Sequence, residues 1–446
     1  MGKRLFGTDG IRGVAGEAPL DDRTVFAVGQ ALAAELGAGG GSVLIGMDTR
    51  ESGPHIANLL AGGLLAGGLN ADFAGVLPTA AVSLLTGRSP YRTGVMISAS
   101  HNPHQDNGIK VFGADGFKLP DAVEQNVEER IFALLAGDLQ PAEKTVEVNP
   151  RFEERYLKHL LKSGAPAENL RPLKLEVDCS NGAAHRLSAG FFEQLGMNAE
   201  VFAAEPDGRN INLDCGSLHL DKLQQKVRES GADLGVAFDG DADRALFVAD
   251  DGEIVDGDVI LLLAGRFLKE RARLPGNRVV TTVMANMGLE KALGERGVKM
   301  SRTQVGDKYV LEKMVASGAT LGGEQSGHII FKEFANTGDG LLTARVMLEI
   351  LSAAKKPLSE LRKQLPVFPQ KLVNVRVKEK PAIADAPALA AAVKASEDQL
   401  AGNGRVVVRY SGTEPLARIM IEAASQEDVD RHCEEIEKVF VREIGL

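Results

Sequence analysis

Three times along this chain a short run of strand-forming residues breaks into a loop of glycine, serine, asparagine and aspartate, then gives way to a helical stretch. The segments are "SVLIGMDTRESG" (42–53), ahead of an apolar stretch after Pro54; "LKLEVDCSNGAA" (173–184), ahead of a helix near 186–195; and "RVVTTVMANMG" (278–288), ahead of "LEKALGERG". Strands alternating with helices at this spacing imply βαβ units around mixed or mostly parallel sheets. Each unit has a later strand that also ends in a polar loop: "GVMISASHNP" (94–103), "LGVAFDGDADR" (234–244) and "LGGEQSGH" (321–328). The last two share a lead-in, "SGADLG" against "SGATLG". The pattern predicts three related α/β units, each presenting one loop at the carboxyl end of its sheet, where ligands sit in such folds.

At 446 residues the chain exceeds one core, since single cores stop growing near about 250–300 residues. Polar or proline-containing connectors at 136–151, 249–258 and 355–371 divide it into expected domains 1–150, 151–252, 253–366 and 367–446. The texture changes in the last. Strand-like 371–377, helix-like 384–400, strands 405–410 and 417–423 and a helix from Gln426 predict a small α+β domain. In that final helix Val429, Cys433, Ile436, Phe440 and Ile444 recur at helical spacing, with Ser425 as its cap.

The net charge of −10 is scattered, with no basic track for a nucleic-acid backbone. A protein of this charge that handles phosphorylated molecules must gather basic residues locally. Cys179, Cys215 and Cys433 are too few and too widely spaced for a disulfide framework or a metal knuckle. The stretch from Ile56 to Ala71 is shorter than the roughly 20 residues of a membrane span and reads as a buried helix. The "MGKRLFGTDG" start has no apolar stretch behind it. A cytoplasmic protein that binds neither membrane nor nucleic acid is the expectation.

Asp239, Asp241 and Asp243 alternate in "DGDADR" directly behind the apolar run "LGVAF". Alternation in an extended or gently turned segment aims three carboxylates at one point, where they repel unless a hard cation such as Mg²⁺ neutralises them. A calcium loop starting at Asp239 needs Gly sixth and Glu twelfth; Arg244 and Asp250 stand there instead. A solvated acidic turn is the remaining alternative. In "SASHNP" Ser98 reads as a strand-end residue. Ser100 is distinguished by His101, Asn102 and Pro103 beside it and by Lys110 in the following "NGIKV". No Gly-x-Ser-x-Gly elbow supports acyl transfer, whereas a serine oxygen near a magnesium site suits phosphoryl transfer.

"GGEQSGHI" offers Glu324, Ser326 and His328 as a clamp for sugar hydroxyls, although His328 reads equally well as a structural histidine. "RYSGTEPLAR" joins Arg409, Ser411, Gly412, Thr413 and Arg418 into a phosphate cradle, a hairpin turn, or both. "FGTDGIRG" brings Thr8, Asp9 and Arg12, and "TQVGDKY" brings Thr303, Gln304, Gly306, Asp307 and Lys308, as further candidates for the same cleft.

Taken together, Ser-His-Asn-Pro, Asp-Gly-Asp-Ala-Asp-Arg, Gly-Glu-x-Ser-Gly-His and Arg-x-Ser-Gly-Thr-Glu-Pro, in this order, resemble the α-D-phosphohexomutase superfamily over essentially the whole chain. Within it the "FGTDGIRG" start, Gln325 and Gly412 are most similar to the bacterial branch that acts on glucosamine phosphates; the mannose and glucose phosphate branch is the alternative. The resemblance implies interconversion of glucosamine 6-phosphate and glucosamine 1-phosphate, toward UDP-N-acetylglucosamine, with glucosamine 1,6-bisphosphate as intermediate. It also implies a phosphorylated Ser100 sharing one Mg²⁺ with Asp239, Asp241 and Asp243. Lys110 or His101 would handle the proton and Arg244 steady the charge. Glu324, Ser326 and His328 would hold the sugar, with Arg12, Arg409, Ser411, Gly412, Thr413 and Arg418 on phosphate. A homodimer is implied as well. A serine phosphatase and a non-catalytic sugar-phosphate sensor are the rival readings.

Overall fold

A computed structural model describes residues 5–7, 9–37, 40–400, 402–411 and 415–446. Its contacts divide the chain into two units: Met1–Thr282 with Ser301–Lys363, and Val283–Met300 with Gln364–Leu446.

In the larger unit β1 (Ile11–Val14), β2 (Ser42–Met47), β3 (Asn70–Val76), β4 (Tyr91–Ile97) and β5 (Asp106–Gly113) form a sheet in the order β1-β5-β4-β2-β3. A second sheet repeats the plan. It contains β6 (Lys174–Asp178), β7 (Asn198–Phe202), β8 (Leu234–Phe238), β9 (Ala245–Ala249) and β10 (Ile254–Val255), in the order β10-β9-β8-β6-β7. A third has β11 (Arg278–Thr282), β12 (Lys299–Thr303), β13 (Leu321–Gly323) and β14 (Ile329–Phe331), in the order β12-β11-β13-β14. In each sheet a parallel strand then turns back on an antiparallel partner: β4 into β5, β8 into β9 and β13 into β14. Those three return turns carry the three loops marked in the sequence. The sheets are therefore mixed, and the three α/β units are topologically alike.

The apolar runs have a physical reason. Val43, Leu44 and Ile45 are fully buried, as expected of a strand covered on both faces. Helix Gly53–Ala66 is buried along most of the stretch from Ile56 to Leu64, while Leu65 and Ala66 at its end are exposed, and no described helix is long and apolar enough to cross a membrane. A Cβ on Gly63 would lie 2.1 Å from Phe26 O, and one on Gly29 would lie 2.4 Å from Leu60 O. The two helices, Asp22–Leu36 and Gly53–Ala66, thus meet backbone to backbone.

The smaller unit holds β15 (Gln370–Arg376), β16 (Gly404–Tyr410) and β17 (Leu416–Ala423), an antiparallel sheet in the order β15-β17-β16. Helices Pro387–Leu400 and Gln426–Ile444 belong to the same unit. Val429, Cys433, Ile436, Phe440 and Ile444 form one buried core with Ile419 and Ile421. Ser425 caps the last helix by accepting the Asp428 N–H, as the sequence predicts. All three cysteines are free and buried.

Candidate active site and metal centre

The turn between β4 and β5 is built around a buried chain of hydrogen bonds. Arg50 Nε pairs with Asp48 Oδ2 at 2.9 Å, Ser98 Oγ donates to the same oxygen at 2.6 Å, and the Ser100 N–H donates to Ser98 Oγ at 2.9 Å. Ser98 is therefore the peg that orients Ser100, a role its strand-end position does not announce. Ser100 itself has φ 53°, a left-handed conformation uncommon for a residue with a side chain. His101 Nδ1 lies 3.3 Å from Ser100 Oγ. Burial, followed by the positive charges of Arg244 and Arg12, lowers the His101 pKa to about 4, so the ring is neutral at pH 7.

Ser100 Oγ donates a short hydrogen bond to Asp239 Oδ2, 139 residues away in sequence. Asp239, Asp241 and Asp243 are all buried, with one oxygen from each within 4.8 Å of the others. They converge through a tight turn with Ala242 at φ 53°, where the sequence suggests a gentler path. Thr79, heading helix Thr79–Gly87, donates its N–H to Asp241 O at 3.0 Å and its hydroxyl to Asp241 Oδ2. Lys110 Nζ lies 2.7 Å from Asp241 Oδ2, 3.0 Å from Asp9 Oδ2 and 3.4 Å from Asp243 Oδ2. Burial works against its charge, but those carboxylates outweigh it and hold the ammonium protonated. Burial and then the charges of Asp243 and Asp241 push Asp239 well up, as crowded buried carboxylates do to one another. Asp241 Oδ1 is buried without a hydrogen-bond donor, and buried Asp243 Oδ1 meets only ring and guanidinium nitrogens at 3.5 Å or more. All-oxygen ligands with orphaned, inward lone pairs fit a hard divalent ion such as Mg²⁺.

The β13–β14 turn adds the third group of residues. Glu324 Oε1 accepts the Gly306 N–H at 3.1 Å, and half-buried Ser326 lies in the same turn. His328 Nδ1 is 3.5 Å from Asp243 Oδ1 and His328 Nε2 is 3.6 Å from Asp307 Oδ2. Burial disfavours charge on this ring while Asp243, Asp307 and Glu324 favour it, raising its pKa to about 9. The Gly338 N–H points at Nε2 at 3.0 Å, a contact that favours the neutral ring with its proton on Nδ1 and so opposes that rise. Lys118 Nζ closes a ring by bridging Asp9 Oδ1 at 2.6 Å and Asp307 Oδ2 at 2.5 Å. Lys110, Asp9, Lys118, Asp307, His328 and Asp243 thus link all three α/β units around one centre. Arg12, on β1, pairs with Asp9, and Arg244 lies 3.8 Å from Asp243 Oδ1. The Nε–H of each arginine is buried and lacks an acceptor. Two such donors beside a serine make a receptive environment for a phosphoryl group. Lys308 turns the other way, to Asp121 and Glu124.

The fourth motif belongs to the smaller unit. Arg409 on β16 stands directly opposite Arg418 on β17. Burial, then the charge of Arg418, lowers the Arg409 pKa. Ser411 is buried, its N–H on Leu416 O at 2.9 Å and its carbonyl accepting Lys380 Nζ at 2.6 Å. Gly412 and Thr413, like Thr8, lie outside the described residues.

Sequence reasoning missed Asp48, Arg50, Thr79 and Lys118 and gave Ser98 too small a part. One signal was present. Asp48 directly follows β2 and Asp178 ends the equivalent strand β6, in "IGMDTR" and "LEVDCS", and both accept backbone N–H groups of the loop that follows.

Four family models match successive parts of the chain. They describe α/β/α domains I, II and III of phosphoglucomutase/phosphomannomutase, over residues 3–136, 154–252 and 256–368, and its C-terminal domain over 372–439. A phosphoglucosamine mutase of Solibacter usitatus is 52% identical over 100% of both chains. One of Koribacter versatilis is 48% identical over 100% of this chain and 98% of that protein. Among solved structures, a phosphoglucomutase/phosphomannomutase family protein from Burkholderia thailandensis superposes with a TM-score of 0.80 at 26% identity, covering 100% of both.

Proposed function

This chain belongs to the phosphoglucomutase/phosphomannomutase family, and we propose that within it the protein is a phosphoglucosamine mutase, interconverting glucosamine 6-phosphate and glucosamine 1-phosphate. The observation that carries the mechanism is Ser100 Oγ donating into the buried Asp239–Asp241–Asp243 cluster. Asp239, Asp241 and Asp243, with an oxygen on Ser100, would hold Mg²⁺, which when bound supplies Lewis-acid stabilisation of charge on the transferring phosphoryl group.

The chain's own residues do the rest. Ser100 carries the phosphoryl group. A substrate hydroxyl attacks the phosphorus, the bond from phosphorus to Ser100 Oγ breaks, and glucosamine 1,6-bisphosphate results. His101, 3.3 Å from Ser100 Oγ, takes the hydroxyl proton and returns one to the serine oxygen. Lys110 remains cationic between Asp9, Asp241 and Asp243, and Arg12 and Arg244 present N–H donors to the phosphoryl oxygens. Glu324, Ser326 and His328 orient the sugar. Arg409, Ser411, Gly412, Thr413 and Arg418 hold the phosphate that is not reacting. After the bisphosphate reorients, His101 takes the Ser100 proton as Oγ attacks the other phosphorus, the bond from that phosphorus to the sugar oxygen breaks, the sugar oxygen takes the proton, and glucosamine 1-phosphate leaves Ser100 phosphorylated again. We propose that the protein works in the cytoplasm as a homodimer.

Incubating the purified protein with glucosamine 6-phosphate, Mg²⁺ and a trace of the bisphosphate, and following the ³¹P spectrum, tests this reading. A resonance of glucosamine 1-phosphate is expected. Inorganic phosphate as the sole product, or a higher kcat/KM for mannose 6-phosphate, would displace it.

A further inference from the structure

Ser100 and Asn102 each offer their carbonyl oxygen to two side chains at once. Arg50 Nη2 donates to both, at 3.0 and 2.8 Å, and Asn212 Nδ2 donates to the same two, at 2.9 and 3.0 Å. Arg50 comes from the loop after β2, in the sheet that carries Ser100, and is fully buried against Asp48. Asn212 comes from the segment between β7 and β8, in the α/β unit that carries the three aspartates. Its own backbone is left-handed, φ 58°, and is held by its N–H on Ser180 O at 2.9 Å. Neighbouring groups repeat the crossing: the Glu51 N–H donates to Gly208 O at 3.0 Å, Arg209 Nε pairs with Glu51 Oε2 at 2.7 Å, and Thr49 Oγ1 donates to Asn181 O at 2.5 Å.

A non-glycine residue in left-handed backbone persists only where its surroundings over-determine it. At Ser100 the fastening is double, and half of it is supplied by the unit that bears the metal ligands. We propose that Asn212 is a positioning residue for phosphoryl transfer, keeping the nucleophile loop in register with the acidic loop of the neighbouring α/β unit. The inference rests on reading Ser100 as the phosphoryl carrier. Arg50 stiffens the loop within its own unit, whereas Asn212 ties the carbonyls of that stiff loop to the unit of Asp239, Asp241 and Asp243. Transfer depends on reacting atoms about 3–3.5 Å apart, and a misplacement of about 1 Å costs on the order of a hundredfold in rate.

Three substitutions separate this role from a merely structural one. Asn212→Ala removes the donor, Asn212→Asp keeps the shape but turns a carboxylate toward two carbonyls, and Asn212→His returns a ring N–H at similar reach. The expected kcat falls about tenfold to a hundredfold for Asn212→Ala and further for Asn212→Asp, and recovers in part for Asn212→His. KM for glucosamine 6-phosphate moves by less than about threefold, since the sugar contacts are elsewhere. A second readout is normalised to folded, phosphorylated protein. Ser100 is labelled from ³²P-glucosamine 1,6-bisphosphate, and the label lost to water is divided by the label delivered to sugar. That ratio rises with the fall in kcat in Asn212→Ala. If it keeps the unaltered protein's value, with kcat per phosphorylated chain unchanged and only Tm lowered, the proposal is overturned. Failure of the functional reading looks different, because the unaltered protein would then take no label onto Ser100.

Discussion

Between Asp239 and Asp241 the chain has no room for a side chain. A Cβ on Gly240 would lie 2.4 Å from Ser100 O and 2.9 Å from Asn212 Nδ2, so the acidic turn and the serine turn touch through bare backbone. Gly240→Ala is expected to push the two turns apart, lowering kcat about a hundredfold and raising the Mg²⁺ concentration for half-activation, while thermal unfolding shifts only modestly. Steady-state rates against Mg²⁺ check this. His101→Gln tests the proton step separately, and its kcat should fall about a hundredfold to ten-thousandfold with the phosphate content of Ser100 preserved by intact mass. Ser98 shows the limit of reading at this scale. In the sequence it is one more polar residue after a strand; only the fold brings Asp48 beneath it.

Single strands and turns carry the next level. Arg409 and Arg418 stand opposite each other across β16 and β17, and the Arg418 charge adds to burial in lowering the Arg409 pKa, so a bound anion would relieve like-charge repulsion there. Phosphate should therefore raise the Tm of the protein, and Arg409→Met should reduce that rise while increasing KM for the sugar phosphate about tenfold or more. The turn after β6 has a different electrostatic problem. Burial raises the pKa of Asp178 to about 6 although the N–H groups of Gly216 and Ser180 oppose the rise. Its folded pKa lies above its unfolded one, so the folded state favours the protonated acid and loses stability as pH climbs from about 4 to 6, by up to about 3 kcal/mol. His159, lowered to about 4 by burial and then by Arg88, contributes the opposite slope up to pH 6.5. The difference curve between Asp178→Asn and the unaltered protein isolates the first effect. Urea midpoints between pH 4 and 7 should converge at the acid end and favour the variant above pH 6.

Over the whole molecule, the three repeated α/β plans were legible because strand, loop and helix each leave a local trace, and each return turn kept its polar signature. The acidic trio was legible for the same reason, as three aspartates within five residues. What escaped was long-range. Lys118 meets Asp307 across 189 residues and Asn212 meets Ser100 across 112, and neither has neighbours in sequence that mark it. The left-handed turns at Ser100 and Ala242 escaped because neither residue type favours that conformation, which tertiary contacts impose. The proposed reaction depends on one serine passing a phosphoryl group while three buried carboxylates hold the metal. Rapid mixing with ³²P-labelled glucosamine 1,6-bisphosphate, quenching and mapping the labelled peptide measures this directly. Label on Ser100 that forms with Mg²⁺ and passes to added glucosamine 6-phosphate is the predicted result; sustained mutase turnover by Ser100→Ala, or with Ser100 never labelled, would contradict it.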